Sequence, residues 1–302
     1  MLTGFCRSVF APCIYPLLYN LLSIARKCFL FLSLQFILAP GSKAMVEKMA
    51  TRMYIVKQLR ETDLKLADAI CESLKTAYDP SISKFFAHQD LGYKRFFKQS
   101  IKDPNYYTYY CFDPNYALLQ GFACFQKVGN VIFLKNIVVD NRFRGSKIGT
   151  TLLKQALSAI QKTDEGQLQS FQLDVFEKNH HALRWYLSIG MQATGCTYWY
   201  DLTPSLDLPI QEQDMDGFEI VMDNFGFRQV KYRNEYIGTL LATNTLVARS
   251  EKIMEVRAQL PSFMKHYTVQ AVGLVSNKEL DFSLIDKAFR MSIPLIDLNL
   301  ED

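Results

Sequence analysis

The chain has 302 residues and a net charge of +4, too mild a surplus to point to nucleic acid, and it carries neither an RNA-binding signature nor a basic helix. With 49% hydrophobic and 21% charged residues it can bury a sizeable core, so disorder along most of its length is not expected. Seven scattered cysteines, odd in number and without a CxxC pair, argue against a disulfide framework or a zinc site and for reduced thiols in the cytoplasm.

Residues 1–45 hold two apolar runs, CIYPLLYNLLSIA and CFLFLSLQFILAP, broken by Arg26 and Lys27. Each is shorter than the roughly 20 residues that cross a bilayer. Two expectations stand side by side: a signal-like or membrane-lying anchor, and a leader outside the working protein, with later starts at Met45, Met49 or Met53. The second is preferred, which places the protein in the cytoplasm. Membrane association would rest on residues 1–45 alone.

A regular pattern begins near residue 53. YIVKQLRE reads as a strand and TDLKLADAICESLKTAY as a helix, with Leu66, Ala69, Ile70 and Leu74 at helical spacing. GYKRFFKQSIKD is a shorter helix. The runs YYTYYCF, LLQGFACFQ and VIFLKNIVVD read as strands separated by the turn formers DPNYA and VGN. From Lys147 to Gln161, Ile148, Leu152, Leu153, Ala156, Leu157 and Ile160 fall on one helix face. SFQLDVF, HALRWYLSI and ATGCTYWYDL then predict strand, helix and strand. A meander followed by alternating helices and strands makes an α/β sheet of mixed direction.

Residues 203–216, with prolines in TPSLDLPIQEQ, read as a linker. Beyond it FEIVMDNFGFRQVKY, EYIGTLLATNTLVAR, YTVQAVGLV and PLIDLNL are strand-like, with helices near 251–260 and 281–291. Residues 217–302 are therefore expected to form a smaller α+β accessory domain. No repeat aligns the two halves convincingly.

The junction NRFRGSKIGTTLL, between a strand ending at Val139 and the helix from Lys147, concentrates chemistry. A helix start presents unpaired amides and a partial positive charge, which suits a phosphate. Gly145 and Gly149 let the backbone approach such an anion, and Arg142, Arg144 and Lys147 add charged donors. A solvated turn explains the segment almost as well. It lacks the Gly-Lys-Ser/Thr ending of a Walker loop and the GxGxxG of a dinucleotide fingerprint. Thirty residues on, LDVFEKNHHALRWYLSIGM runs strand, loop, helix and glycine stop, with Asn179 as a helix cap.

Together, Phe143-Arg144-Gly145-Ser146-Lys147-Ile148-Gly149 and the Asn179-x-x-Ala182-x-x-x-Tyr186-x-x-x-Gly190 element resemble the GNAT superfamily of acyl-CoA-dependent N-acyltransferases. The resemblance covers roughly residues 53–202. Lys147 stands where the family prefers glycine, and Met191 where it prefers phenylalanine. The resemblance implies a mixed, mostly antiparallel sheet flanked by helices, with acetyl-CoA as co-substrate in a cleft between strands 131–139 and 170–176. Backbone groups of Ile137, Val138 and Val139 would pair with the pantetheine arm. Amides of Arg144, Gly145, Ser146, Lys147, Ile148 and Gly149 would hold the pyrophosphate, with Asn179 nearby. Tyr186 matches the family's thiolate-protonating tyrosine, and Asp174 is a candidate general base. The acceptor would be an amine on a small molecule or protein.

The competing expectation is a non-catalytic module of the same fold that binds CoA or a protein. The C-terminal half would shape the acceptor site or mediate a homodimer. No metal is expected, since His88 and His266 are isolated and His180 and His181 sit at a helix start. Cys111, Cys124 and Cys196 read as small strand residues, while Tyr106, Tyr107, Tyr109 and Tyr110 alternate across a strand that could face the acceptor.

Overall fold

A computed structural model describes residues 55–113, 118–164, 167–206 and 215–300. The apolar leader 1–45 lies outside the described residues. Among the described residues no helix is long and apolar enough to cross a membrane.

Alternation along one strand explains the layering. In β3 (Leu118–Val128), Phe122 and Cys124 face one side and Ala123 and Phe125 the other, and all four are buried. On the first side they meet Ala67, Ile70, Cys71 and Leu74 of α1 (Leu64–Lys75), spaced to make one stripe. On the second they meet Leu152, Leu153, Ala156, Leu157 and Ile160 of α4 (Ile148–Thr163). Helix α2 (Pro80–Ser83) and α3 (Leu91–Ser100) complete the α1 side; each starts at an aspartate, Asp79 or Asp90, whose carboxylate accepts an amide of the first turn.

The remaining strands of the first half are β1 (Val56–Gln58), β2 (Tyr106–Asp113), β4 (Val131–Val139), β5 (Ser170–Phe176) and β6 (Gln192–Asp201), with α5 (His180–Ser188) before β6. The second half contributes β7 (Phe218–Met222), β8 (Arg228–Tyr232), β9 (Glu235–Leu240), β10 (Thr245–Ala248), α6 (Leu260–Tyr267), β11 (Ala271–Ser276) and β12 (Ser283–Pro294). All twelve strands form one sheet in the order β1-β2-β3-β4-β5-β12-β6-β11-β10-β9-β8-β7. Neighbours are antiparallel except β4 with β5 and β10 with β11, so the expected mixed, mostly antiparallel sheet is present.

That order contains a repeat that the sequence does not reveal. β1 to β4 pair as an antiparallel series, and α4 crosses to a parallel β5; β7 to β10 do the same, and a 3-10 turn with α6 crosses to a parallel β11. Each half then sends its sixth strand across. β12 lies against β5 and β6 against β11, while β6 and β12 pair with each other at the centre. The sheet therefore runs unbroken past the segment 203–216.

Two sequence expectations change here. Of residues 281–291, expected as a helix, 283–291 belong to β12, and PLIDLNL gives that strand its last residue, Pro294, and then turns away. The strand is buried on both faces in turn: Ala288 packs with Phe85 and Trp199 on one, and Met291 and Ile293 pack with the α4 core on the other. Its apolar residues therefore do not alternate, and the extra residue at the Leu284/Asp286 register shift adds a change of phase, so the run does not read as a strand. The helix expected near 251–260 is a 3-10 turn at Glu251–Val256, with α6 only from Leu260.

Phe85 and Phe86, following α2, pack with Trp199, Val247, Ala271 and Ala288 across the centre of the sheet. Phe85 lies so close to β11 that a Cβ on Gly273 would sit 2.4 Å from its ring. Glycine is required there by contact.

Candidate active site

β4 and β5 are paired only from Val131 to Leu134 and from Ser170 to Leu173. Beyond that they part. The cause is local: Cys124 of β3 faces Asn136 and Phe125 faces Leu134, so Lys135 is an extra residue that bends β4 away. Ile137, Val138 and Val139 stay bonded to β3 on one side, and their other edge is free of β5. The gap opens into a cavity of about 1670 Å³, lined by both halves of the chain.

The glycine-bearing loop closes one end of this cavity. Asp140 caps a 3-10 turn at Asn141–Phe143 and takes the Arg142 guanidinium, with Nε at 2.9 Å and Nη2 at 2.6 Å. That pairing holds the Asp140 carboxyl down at about 2, and it directs Arg142 to Asp140 rather than to an incoming anion. Gly145 has φ +76°, a conformation that suits glycine. Lys147, where the resemblance prefers glycine, adopts the same left-handed region at φ 62°. The chain keeps the backbone path and carries the strain of a side chain in it.

Lys147 occupies the cap position of α4, and no side chain caps the helix. The first bond of the helical kind runs from Thr151 N to Lys147 O at 2.9 Å. The amides of Ile148, Gly149 and Thr150 thus have no acceptor within the helix, and they point their partial positive charge at the cavity mouth. An ideal Cβ on Gly149 would meet Val139 at 3.7 Å and Trp185 at 3.8 Å, ordinary contacts, so the protein's own packing does not demand glycine there. Ser146 Oγ donates to Phe143 O, and Arg144 reaches Val139 O at 3.5 Å.

Tyr186 stands inside, on α5, buried at 5% exposure and beside Trp185. Burial, with Tyr78 nearby, pushes its phenol above the ordinary tyrosine range, so the group holds its proton at neutral pH. Asn179 acts as the helix cap the sequence suggests, its side chain accepting from Ala182 N at 3.3 Å, and it also borders the cavity. Asp174 borders the cavity too, but both its oxygens accept from the guanidinium of Arg290 on β12, Nη2 to Oδ2 at 3.0 Å.

The cavity also gathers residues that sequence reasoning either does not name, Tyr78 and Arg249, or names without placing there, His88. Tyr78 accepts from Asn136 Nδ2 at 2.8 Å, tying the turn after α1 to the bulged part of β4. His88 is buried among the rings of Tyr78, Phe86 and Tyr93, and its Nε2 has no partner. Burial brings its pKa down to about 4, so the ring is neutral. Arg249 enters from the second half just after β10, its guanidinium 5.7 Å from the centre of the Trp199 ring. Of the tyrosine series, Tyr106 borders the cavity, whereas Tyr109 and Tyr110 are buried on opposite faces of the sheet. Cys111 and Cys124 are buried, and His180 and His181 are exposed. Among the described residues no three His, Cys, Asp or Glu side chains gather as a metal site.

Residues 68–191 match the family model described as Acetyltransferase (GNAT) family. No curated protein matches the chain. Among solved structures, a tandem GNAT protein from the clavulanic acid biosynthesis pathway aligns with a TM-score of 0.57 and 11% identity, over 80% of this chain and 98% of its own. A candidate acetyltransferase from Pyrococcus horikoshii aligns with a TM-score of 0.52 and 13% identity, over 82% of this chain and 92% of its own. At such identities the two structures speak for the fold alone.

Proposed function

For a chain whose residues 68–191 match the GNAT acetyltransferase family model, we propose that the cavity is the active site of an N-acyltransferase that uses acetyl-CoA as co-substrate and an amine, on a small molecule or a protein, as acceptor. One observation carries this: an uncapped, glycine-bearing helix start stands at the mouth of a parted parallel strand pair, and a buried phenol lies in the same cavity.

The amides of Ile148, Gly149 and Thr150, with Arg144 and Gly145, would hold the pyrophosphate. The free edge of Ile137–Val139 would pair with the pantetheine arm, as one strand pairs with another. The thioester supplies the acyl group, which passes to the neutral amine nitrogen as the C–S bond breaks; the nitrogen gives up its proton to water, and the departing sulfur takes one from the protein. Tyr186, kept protonated by burial, holds a proton where that sulfur needs one. Asp174 was the candidate base; its oxygens are engaged by Arg290, and an ammonium would have to displace that guanidinium to reach them. We assign Asp174 instead to holding Arg290 in place.

The test uses the full chain. Calorimetry with CoA and acetyl-CoA reports binding, and release of free thiol over an amine panel reports turnover. Tyr186→Phe is expected to keep CoA binding and to lower kcat by about 100-fold or more, the usual reach of a proton donor. Folded protein that gives no heat with CoA overturns the assignment. Binding without turnover on any amine favours the non-catalytic module of the same fold.

A further inference from the structure

Beyond the thioester end of the cavity the side-chain charges do not balance. Lys135, Arg249 and Arg290 line the wall there, and the carboxylate set among them is Asp174, bonded to Arg290. Lys135 Nζ and Arg290 Cζ share one support, lying 5.6 Å and 4.8 Å from the centre of the Phe133 ring. The remaining charged pair of the wall, Glu251 with Lys278, is self-neutralising at 3.1 Å. Neither Lys135 nor Arg249 has a carboxylate within ion-pair distance among the described residues; they rest on aromatic faces instead.

This wall is separate from the pyrophosphate end. Lys135 precedes Val139 by four strand positions, about 13 Å at the ordinary rise of a strand. The phosphate loop begins only after Val139. The two cations therefore face the region left for the acceptor. Their placement also has a structural cause: the bulge adds Lys135, and the second half brings Arg249 in at the end of β10. Desolvation by the surrounding wall, then Arg249 and Arg290, lower the Lys135 pKa and Asp174 opposes them, while both Lys135 and Arg249 remain exposed to the water of the open cavity.

We propose that the acceptor is an amine carrying a carboxylate, an amino acid or a close relative, whose carboxylate is received by Arg249 and Lys135. This rests on the N-acyltransferase reading above. An anionic group there supplies the charge the wall lacks and accepts the planar donors of the guanidinium. Tyr78, Phe86 and Trp199 beside it favour an apolar side group. A polyamine brings further positive charge to a positive wall and is disfavoured. The second half thus supplies acceptor recognition to a site whose acyl-donor end lies in the first half.

The experiment compares matched pairs that differ by the carboxylate: phenylalanine with phenethylamine, leucine with isopentylamine, glycine with methylamine, and spermidine as the polycation. Binding is read by calorimetry on the CoA-loaded full chain and turnover by thiol release. The carboxylate member is expected to bind on the order of 10- to 100-fold more tightly, the range of one charged hydrogen-bonded contact. Arg249→Met abolishes most of that ratio, and Arg249→Lys restores part of it. CoA binding by each variant shows that it is folded. Equal affinity within the pairs, a preference for spermidine, or an unchanged ratio in folded Arg249→Met overturns the proposal. So does CoA-loaded protein that binds none of the carboxylate members. Absence of CoA binding in the unsubstituted protein is a different failure and removes the N-acyltransferase reading itself.

Discussion

The two halves of this chain share one connectivity and diverge at one junction. In the first, β4 outruns its pairing with β5 by the five residues Lys135–Val139, and the helix that follows begins without a cap. In the second, all of β10 is paired with β11, and the turn that follows is capped by Ser250, whose hydroxyl accepts from Lys252 N at 3.3 Å. Glu251 sits at that turn's start, so an acidic side chain stands where the first half leaves bare amides. A shared topology does not by itself make a binding site. On the proposed reading it becomes one where a strand overruns its partner and a helix start is left unsatisfied; where both are closed, the same frame would lend side chains to its neighbour.

The comparison can be broken at several points. The largest effect is expected at Gly149, which the protein's own packing does not require. Gly149→Ala should keep the melting temperature near that of the parent and weaken CoA by roughly 100-fold through crowding of the ligand. A variant that melts normally and binds CoA as before would remove the difference drawn between the junctions.

Next comes His88, on the first half's side of the cavity. Its folded pKa is about 4, against an ordinary value of 6.5. Between those values the unfolded chain takes up more protons, so stability present above pH 6.5 is lost as pH falls toward 4, by up to about 3 kcal/mol. His88→Gln should flatten the dependence of Tm on pH across that window; an unchanged slope assigns the loss to other groups.

The seam between halves is tested at Gly273. Gly273→Ala puts a methyl group into the Phe85 ring and should cost about 1–3 kcal/mol of stability, with Phe85→Leu relieving part of it. Additive losses in the double variant would show that the two sites do not touch in solution.

The smallest effects separate strain from function. Lys147 at the start of α4 and Thr268 at the end of α6 both hold positive φ without being glycine. Glycine at either should raise stability by about 0.5–1 kcal/mol, the left-handed strain less the chain entropy of glycine. Only Lys147→Gly should also change CoA affinity. A shift in CoA affinity with Thr268→Gly would mean that the second crossover belongs to the site.

Much of the first half was legible because its signals are local. The strand before Val139, the α4 stripe and the Asn179 cap are each written within a dozen residues. What stayed hidden is non-local or out of phase. Burial on both faces in turn disguises β12 as a helix, and the repeat lives in strand order rather than in matching residues. Arg290 meets Asp174 from 116 positions away, and Arg249 lines the cavity from a strand end of the second half. His88 seemed isolated because its neighbours are aromatic rings, which carry no spacing rule.

The exchange of sixth strands also sets an order of events in biosynthesis. Chain emerges from the ribosome N-terminus first, yet β5 gains its second neighbour only when β12, near the other end, is available. Until then the edge of β5 is an open template for foreign strands. A product cut off after residue 202 would retain the loop and the phenol, and with them a raw sheet edge. It is expected to aggregate or to be held by chaperones rather than to work as a shorter enzyme.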